Sequence, residues 1–331
     1  MDLTLSPDQL DLRAGLVEFL DAQWTPERLR AGASSPTPDH DSWRRLSELG
    51  LFGVTVPESA GGMGLGCAEA AILCEELGRY LVPGPLVPSL LAADRVPGVL
   101  TGDCLVALLD RRDPTAVAEH LPNATHLVVI EDSGLLLHPV EGLKSVVAQQ
   151  PLDPLTPVAV LAGPLGSGER IGSAQDAARW REVGAVLTAA LQTGVARGAL
   201  ELATQYATER VQFGRVIGSF QAIKHLLAEA LVRVDLARAA VHVAALTLDD
   251  PGAGDSAETV AAAKVLADDA AAANGRTCVQ VHGGMGFTWE VLAHLYLKRA
   301  WVQQSAFGSA DEHALGLAER LPDAMLQAEA E

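Results

Sequence analysis

The sequence predicts a mainly α-helical protein with a small β-region in its middle, and three observations carry that prediction. Beyond residue 173 an Ala- and Leu-rich chain keeps its apolar residues at helical spacing to the end. Between residues 98 and 172 the texture changes to short apolar runs separated by Pro, Asn, Asp and Gly. Before residue 98, helix-start signals precede stretches with a 3.6-residue period. The expected organisation is an N-terminal helical domain (1–97), a reduced middle β-domain (98–172) and a C-terminal helical bundle (173–331).

Ser6-Pro7-Asp8-Gln9 reads as the first helix start: Ser6 caps, Pro7 suits the first helical position and Gln9 closes a capping box. Leu5 and Leu10 stand where a hydrophobic staple would put them, and Leu12, Leu16, Phe19 and Leu20 share one face. A Pro/Ser-rich loop, Gly32 to Pro38, precedes a short helix through Trp43 and Leu46. Helices are expected over Cys67–Tyr80 and Leu86–Ala93. Gly61-Gly-Met-Gly-Leu-Gly66 has the wrong spacing for a dinucleotide fingerprint, and no acidic residue closes a following strand. The runs Cys104–Leu109, His126–Ile130, Gly134–His138 and Val158–Leu161 read as strands. Gly163-Pro-Leu-Gly-Ser-Gly168 lacks the Lys of a phosphate-binding loop and reads as a turn. In the C-terminal third, Trp180, Val183, Leu187, Leu191 and Val195 form one apolar face, and Ile223, Leu227, Leu231 and Val234 another. An alanine-rich run from Glu258 to Ala273 allows close helix packing. Four or five such helices with short connections predict an antiparallel bundle.

Composition narrows the function. The chain of 331 residues is 49% hydrophobic but only 4% aromatic, so its core must be built from Leu, Val and Ala. A formal charge of −18 argues against nucleic acid and anionic membranes as partners. Cys67, Cys74, Cys104 and Cys278 form no CxxC pair and no metal-ligand spacing with His, which predicts free thiols and no metal. The acidic start MDLTLSPDQLDL lacks the features of a signal peptide, and no run approaches the ~18 uninterrupted apolar residues of a membrane span. A cytoplasmic location is expected.

Two stretches carry the chemistry. Thr208 to Lys224 reads TERVQFGRVIGSFQAIK, placing a cation (Arg210), an amide (Gln212) and an aromatic (Phe213) within four positions, followed by Gly214 and Gly218. Arg presents a planar fork of donors suited to phosphate oxygens. On its own the stretch also has the look of a solvated helix end. The second stretch, Gln280-Val-His-Gly-Gly-Met-Gly-Phe-Thr-Trp-Glu290, ends an alanine-rich helical run in a glycine cluster, where backbone can approach a ligand closely.

Together, RxQFG(x6)Q and QxxGGMGFTWE at this separation closely resemble the acyl-CoA dehydrogenase family, most strongly from about residue 175 onward. The resemblance implies an N-terminal helical domain, a β-domain and a C-terminal helical bundle, with FAD as cofactor. It implies that Arg210, Gln212, Phe213, Gln221, Gln280, Gly283 and Gly284 hold the ADP half of FAD for a neighbouring subunit. It further implies oxidation of an acyl-CoA between Cα and Cβ, with a Glu removing the α proton. The family has two alternative positions for that Glu, and they fall here on Gly184 and Phe307. Neither can take a proton, so no catalytic residue is assigned. Glu182, Asp311 and Glu312 lie nearby, but a helix residue two places away is expected on another face. The family's flavin-ring segments also have no counterpart between residues 98 and 172.

Some actinobacterial members, in steroid side-chain degradation, are α2β2 assemblies of two unlike subunits, and the chain resembles their base-lacking subunit. The implied partner is a homologous subunit carrying the catalytic Glu, with FAD shared between them, and the subfamily resemblance suggests a steroid side-chain CoA ester as substrate. A general base is worth roughly 10²–10⁴ in rate, which argues that a partner retains it. Two alternatives are a self-sufficient homomeric dehydrogenase with a non-standard base and a helical scaffold without cofactor contacts. His282 is expected to pack or hydrogen-bond, His294 and Tyr296 to face the core or an interface, and Trp289 to anchor the core.

Overall fold

The computed structural model describes residues 3–34 and 40–320. The chain opens with α1 (Pro7–Gln23), α2 (Pro26–Ser34), α3 (His40–Glu48), α4 (Cys67–Arg79) and α5 (Leu86–Ala92). The capping box at α1 forms as its residues dictate: Gln9 N donates to Ser6 Oγ at 3.2 Å and Ser6 N to Gln9 Oε1 at 3.0 Å. Leu16 and Leu20 are buried with Leu12 and Phe19 against them, whereas Leu10 lies exposed and no staple buries it. Gly32 to Ser34 belong to α2 rather than to a loop, and the remainder of the expected Pro/Ser-rich loop lies outside the described residues.

Seven strands follow: β1 (Val106–Asp110), β2 (Val117–Glu119), β3 (His126–Glu131), β4 (Gly134–Pro139), β5 (Ser145–Val147), β6 (Val158–Leu161) and β7 (Glu169–Gly172). They form two sheets, ordered β1-β3-β4-β7 and β2-β6-β5. The strands β2 and β5 have only three residues each, and β7 opens on the charged pair Glu169-Arg170, so none of the three leaves an apolar run in the sequence. Alternation along the strands sorts the larger sheet's two faces. Val106, Val128, Ile130, Leu135 and Leu137 join the helical core, while Ala107, Leu109, Leu127 and Val129 pack with Ala118 and Ala159 of the smaller sheet.

The rest is α6 (Ala174–Glu209), a hairpin of β8 (Val211–Gln212) and β9 (Arg215–Val216), α7 (Gln221–Asp249), α8 (Ser256–His282), α9 (Ala293–Gln303) and α10 (Ala310–Glu319). Helix α6 is the spine of the molecule. By length and composition it would cross a membrane, but 83% of its apolar window is buried inside the protein. It meets α4 backbone to backbone: a Cβ at Gly194 would collide with the carbonyl of Glu75, and one at Gly78 with that of Leu191. A single apolar cluster runs from α1 to α9 across this crossing, made largely of Leu, Val and Ala. All four cysteines are free and buried. Leu231, expected inward on α7, is 51% exposed beside exposed Val232 and Leu236. Trp289 likewise is no core anchor; it is half exposed, edge-on to His294 with Lys298 over its face.

Candidate functional site

The two sequence motifs lie at one end of the bundle, where α6 and α8 finish and α7 begins. Arg210 is the C-cap of α6, its N–H donating to Tyr206 O at 2.9 Å. The β8–β9 hairpin turns on Phe213 and Gly214 with φ of +53° and +77°. Two successive left-handed residues make the tight turn that matches strand twist, a conformation Asn-Gly normally supplies. A Phe there costs about 1–2 kcal/mol, and its ring is 92% exposed. Strain held at an exposed aromatic points to a role outside the chain's own packing.

Gln221 opens α7, whose N-cap Phe220 brings no side-chain acceptor to the first-turn N–H groups. Gln280 is exposed in the last turn of α8, and Gly283 (φ +60°) and Gly284 follow it. A Cβ at either glycine would meet nothing within 4 Å, so both face open space. Tyr206 joins the two motifs: its ring stacks on His282 at 4.3 Å and its hydroxyl donates to Met285 Sδ at 3.8 Å. Buried His282 donates from Nδ1 to Cys278 O at 2.8 Å, a packing role as expected, and burial holds its pKa down. The side chains of Arg210, Gln212, Gln221 and Gln280 have no partner among the described residues. Arg215 lies over the Phe220 ring at 4.1 Å without a carboxylate partner. Two unpaired cations, free amides, an exposed ring and uncapped helix N–H groups fit the pyrophosphate and adenosine portions of FAD.

At the opposite end of α6 is a cavity of about 790 Å³. Leu86 and Val87 of α5, Leu108 of β1, Val260 of α8 and Phe307 supply apolar wall. Arg181 stands at its rim, held bidentately by Asp110 at 2.7 and 2.9 Å. Its polar wall has Glu119, His120, Thr156, Arg299 and Gln303. Arg299 Nε donates to Asp153 Oδ2 at 2.5 Å and Nη1 to Val82 O at 3.2 Å, both Arg299 and Asp153 being buried. Asp153 also accepts from Thr156 Oγ1 at 2.8 Å and Leu155 N at 3.0 Å. Burial pushes the Glu119 carboxyl up to about 7, opposed by Arg299 and reinforced by Asp153. Burial and Arg299 hold His120 down to about 3.

Gly184 and Phe307 meet each other. A Cβ at Gly184 would overlap the Phe307 ring, so the aromatic fills the space beside the helix. Phe307 and Gly308 are both left-handed (φ +57° and +95°), and His313 Nε2 pins the turn by donating to Phe307 O at 3.0 Å. Of the nearby carboxylates, Glu182 lines the cavity, accepting from Ser256 Oγ at 3.2 Å, while Gly184, two residues on, is covered by Phe307 and does not line it. Glu312 also lines it but is committed to capping Ser309, which lowers its pKa; Asp311 is exposed outside the lining. Reading the sequence missed the polar wall. Asp153 and Arg299 are 146 residues apart, and Arg299 beside Lys298 looks like an ordinary cationic helix end.

Comparison with known proteins fits this architecture. Residues 6–95 match the acyl-CoA dehydrogenase N-terminal domain and residues 180–321 the C-terminal domain. The acyl-CoA dehydrogenase IpdE2 of Mycolicibacterium smegmatis is 33% identical over 303 residues, covering 89% of the chain and 93% of IpdE2. FadE34 of Mycobacterium tuberculosis is 36% identical over 78% of the chain, which spans only 40% of FadE34's length. Among solved structures, the Tcur3481–Tcur3483 steroid ACAD superposes with a TM-score of 0.82 at 26% identity, covering 99% of this chain and 100% of that one. The ChsE4–ChsE5 complex from Mycobacterium tuberculosis shares the fold, with a TM-score of 0.81 at 24% identity over 97% of this chain and 100% of that one. The chain belongs to the acyl-CoA dehydrogenase family, FAD flavoproteins that are oxidoreductases acting on CH–CH bonds.

Proposed function

We propose that this chain is the cofactor-completing subunit of a heteromeric acyl-CoA dehydrogenase. In this reading Arg210, Gln212, Phe213, Gln221, Gln280, Gly283 and Gly284 bind the ADP half of an FAD whose flavin ring sits in a homologous partner carrying the catalytic Glu. The contrast between the two ends of α6 carries it. One end holds free polar side chains and open glycines; at the other the two family base positions are a glycine and the phenylalanine packed on it. Residues 181 and 210 are 29 apart on one helix, about 43 Å at 1.5 Å per residue, farther than an extended dinucleotide reaches. That separation supports a reading in which a cofactor held at Arg210 presents its ring to another chain.

Bound FAD would supply an acceptor for the hydride that leaves the substrate's β-carbon. This chain's residues would orient it: Arg210 would hold pyrophosphate oxygens, the Gln amides would fix polar edges, and the glycines keep the approach clear. An α2β2 assembly and a steroid side-chain CoA thioester are the corresponding stoichiometry and substrate, in line with the two-named-component steroid ACAD it superposes on. The test is the flavin absorbance of the chain purified alone and after co-expression with a family member. No flavin alone, with flavin and acyl-CoA oxidation in the copurified complex, supports the proposal; stoichiometric flavin in the isolated chain refutes it.

A second reading rests on Glu119. A cavity carboxyl pushed up to about 7 has the acidity of a general base, as a self-sufficient homomeric enzyme would need. It predicts turnover by the chain alone, abolished by Glu119→Gln.

A further inference from the structure

We infer that Tyr206 is a positioning residue for the cofactor: its ring, stacked on His282, sets the spacing between the Arg210 guanidinium and the glycine turn. This rests on the proposed flavin role and deepens it. Tyr206 stands one turn before Arg210 on α6, and its carbonyl accepts the Arg210 N–H at 2.9 Å, so the two share a side of the helix end. The Tyr206 and His282 rings stack with centroids 4.3 Å apart and planes inclined by 24°. From His282 the contacts run into α8, through Nδ1 donating to Cys278 O at 2.8 Å. From the Tyr206 hydroxyl they run into the glycine turn, through Met285 Sδ at 3.8 Å. That turn is itself fixed. Met285 O accepts from Thr288 N and Thr288 Oγ1, both at 2.9 Å, and a Cβ at Gly286 would meet the Val279 carbonyl at 2.7 Å. One ring is thus fastened to both parts of the second motif.

The atoms free to meet a ligand and the atoms that hold the frame are separate sets. The Arg210 and Gln280 side chains have no partner among the described residues, and Gly283 and Gly284 face open space. The Tyr206 ring and hydroxyl are both committed within the chain. With nothing bracing its guanidinium, Arg210 is placed by the end of α6, and the end of α6 is tied to the second motif through Tyr206. A ligand gripped at two points needs them at one separation, and that precision comes from the residues packed behind the contacting groups. A frame that slackens loses the two-point grip. Removing Tyr206 and removing Arg210 therefore act on the same binding energy, and their effects should not multiply.

The experiment measures FAD affinity of the co-expressed complex for Tyr206→Leu, Tyr206→Phe, Arg210→Ala and the double variant Tyr206→Leu/Arg210→Ala. Tyr206→Leu removes the stack and should weaken FAD binding about tenfold. Tyr206→Phe keeps the stack and should stay within about threefold of wild type, and the double variant within about threefold of Arg210→Ala. His282→Leu removes the stack from the other motif and should reproduce Tyr206→Leu, which keeps the test decisive where Tyr206→Leu does not fold. Losses that multiply in the double variant, as a general packing role would give, or a Tyr206→Phe variant as weak as Tyr206→Leu, would overturn the inference. Unchanged affinity in Tyr206→Leu beside FAD loss in Arg210→Ala overturns it and leaves the flavin role standing. Unchanged affinity in both overturns that role as well.

Discussion

Arg210→Ala separates a cofactor role from a structural one because the structure gives the side chain nothing else to do. Its guanidinium has no hydrogen bond or ion pair within the described residues, and the backbone C-cap bond to Tyr206 O survives the substitution. An exposed replacement of this kind stays within about ±0.5 kcal/mol of stability. A charge-assisted hydrogen bond to pyrophosphate is worth about 1.5–3 kcal/mol, which corresponds to roughly 10- to 150-fold weaker FAD binding. The assay is flavin content after gel filtration of the co-expressed complex, with the thermal midpoint measured in parallel. The expected result is a complex of normal size and melting temperature that sheds FAD upon dilution. Unchanged flavin retention across a titration down to nanomolar protein would sink the assignment. Loss of flavin together with loss of the complex would equally refute it, because Arg210 would then be holding subunits rather than cofactor.

Phe213→Gly relieves a left-handed non-glycine residue, so the melting temperature should stay level or rise while FAD retention falls; a lower melting temperature would make the ring a packing residue instead. Gly194→Ala drives a methyl into the Glu75 carbonyl on α4, and overpacking of this kind costs about 1–3 kcal/mol, outweighing the ~1 kcal/mol helix-propensity gain and lowering the denaturation midpoint. Glu119→Gln tests the raised carboxyl through pH. The folded state binds the Glu119 proton more tightly than the unfolded one, so wild-type stability contributed by this group is full below about 4.5 and is lost as pH rises to about 7. The variant should therefore melt higher than wild type at pH 8 and show little advantage at pH 4; an equal offset at both would mean that Glu119 is not buried enough to titrate late.

Helices were legible because their signals are local. Ser6 and Gln9 lie three residues apart, and the apolar stripe of α6 repeats within each turn. The longer strands were legible for the same reason, whereas β5, with all three residues exposed, has no burial to imprint a pattern. Leu231 was misread because period alone cannot say which side of a helix has a neighbour, and α7 keeps an apolar edge uncovered. The motif around Arg210 stood out as a contiguous string and was found at a single end of the bundle. The cavity wall did not, since Glu119, Thr156 and Arg299 come from separate parts of the chain brought together only by folding.

The contact between Gly184 and Phe307 also constrains the order in which this lineage can change. A carboxylate side chain at position 184 has no room while the aromatic ring lies on it, so that substitution alone yields a misfit rather than a gain. Replacement of Phe307 by a small residue must come first, and by itself confers no proton acceptor. Adaptive recovery of chemistry at position 184 thus requires crossing an intermediate with no advantage, and the ring acts as a historical latch on that position.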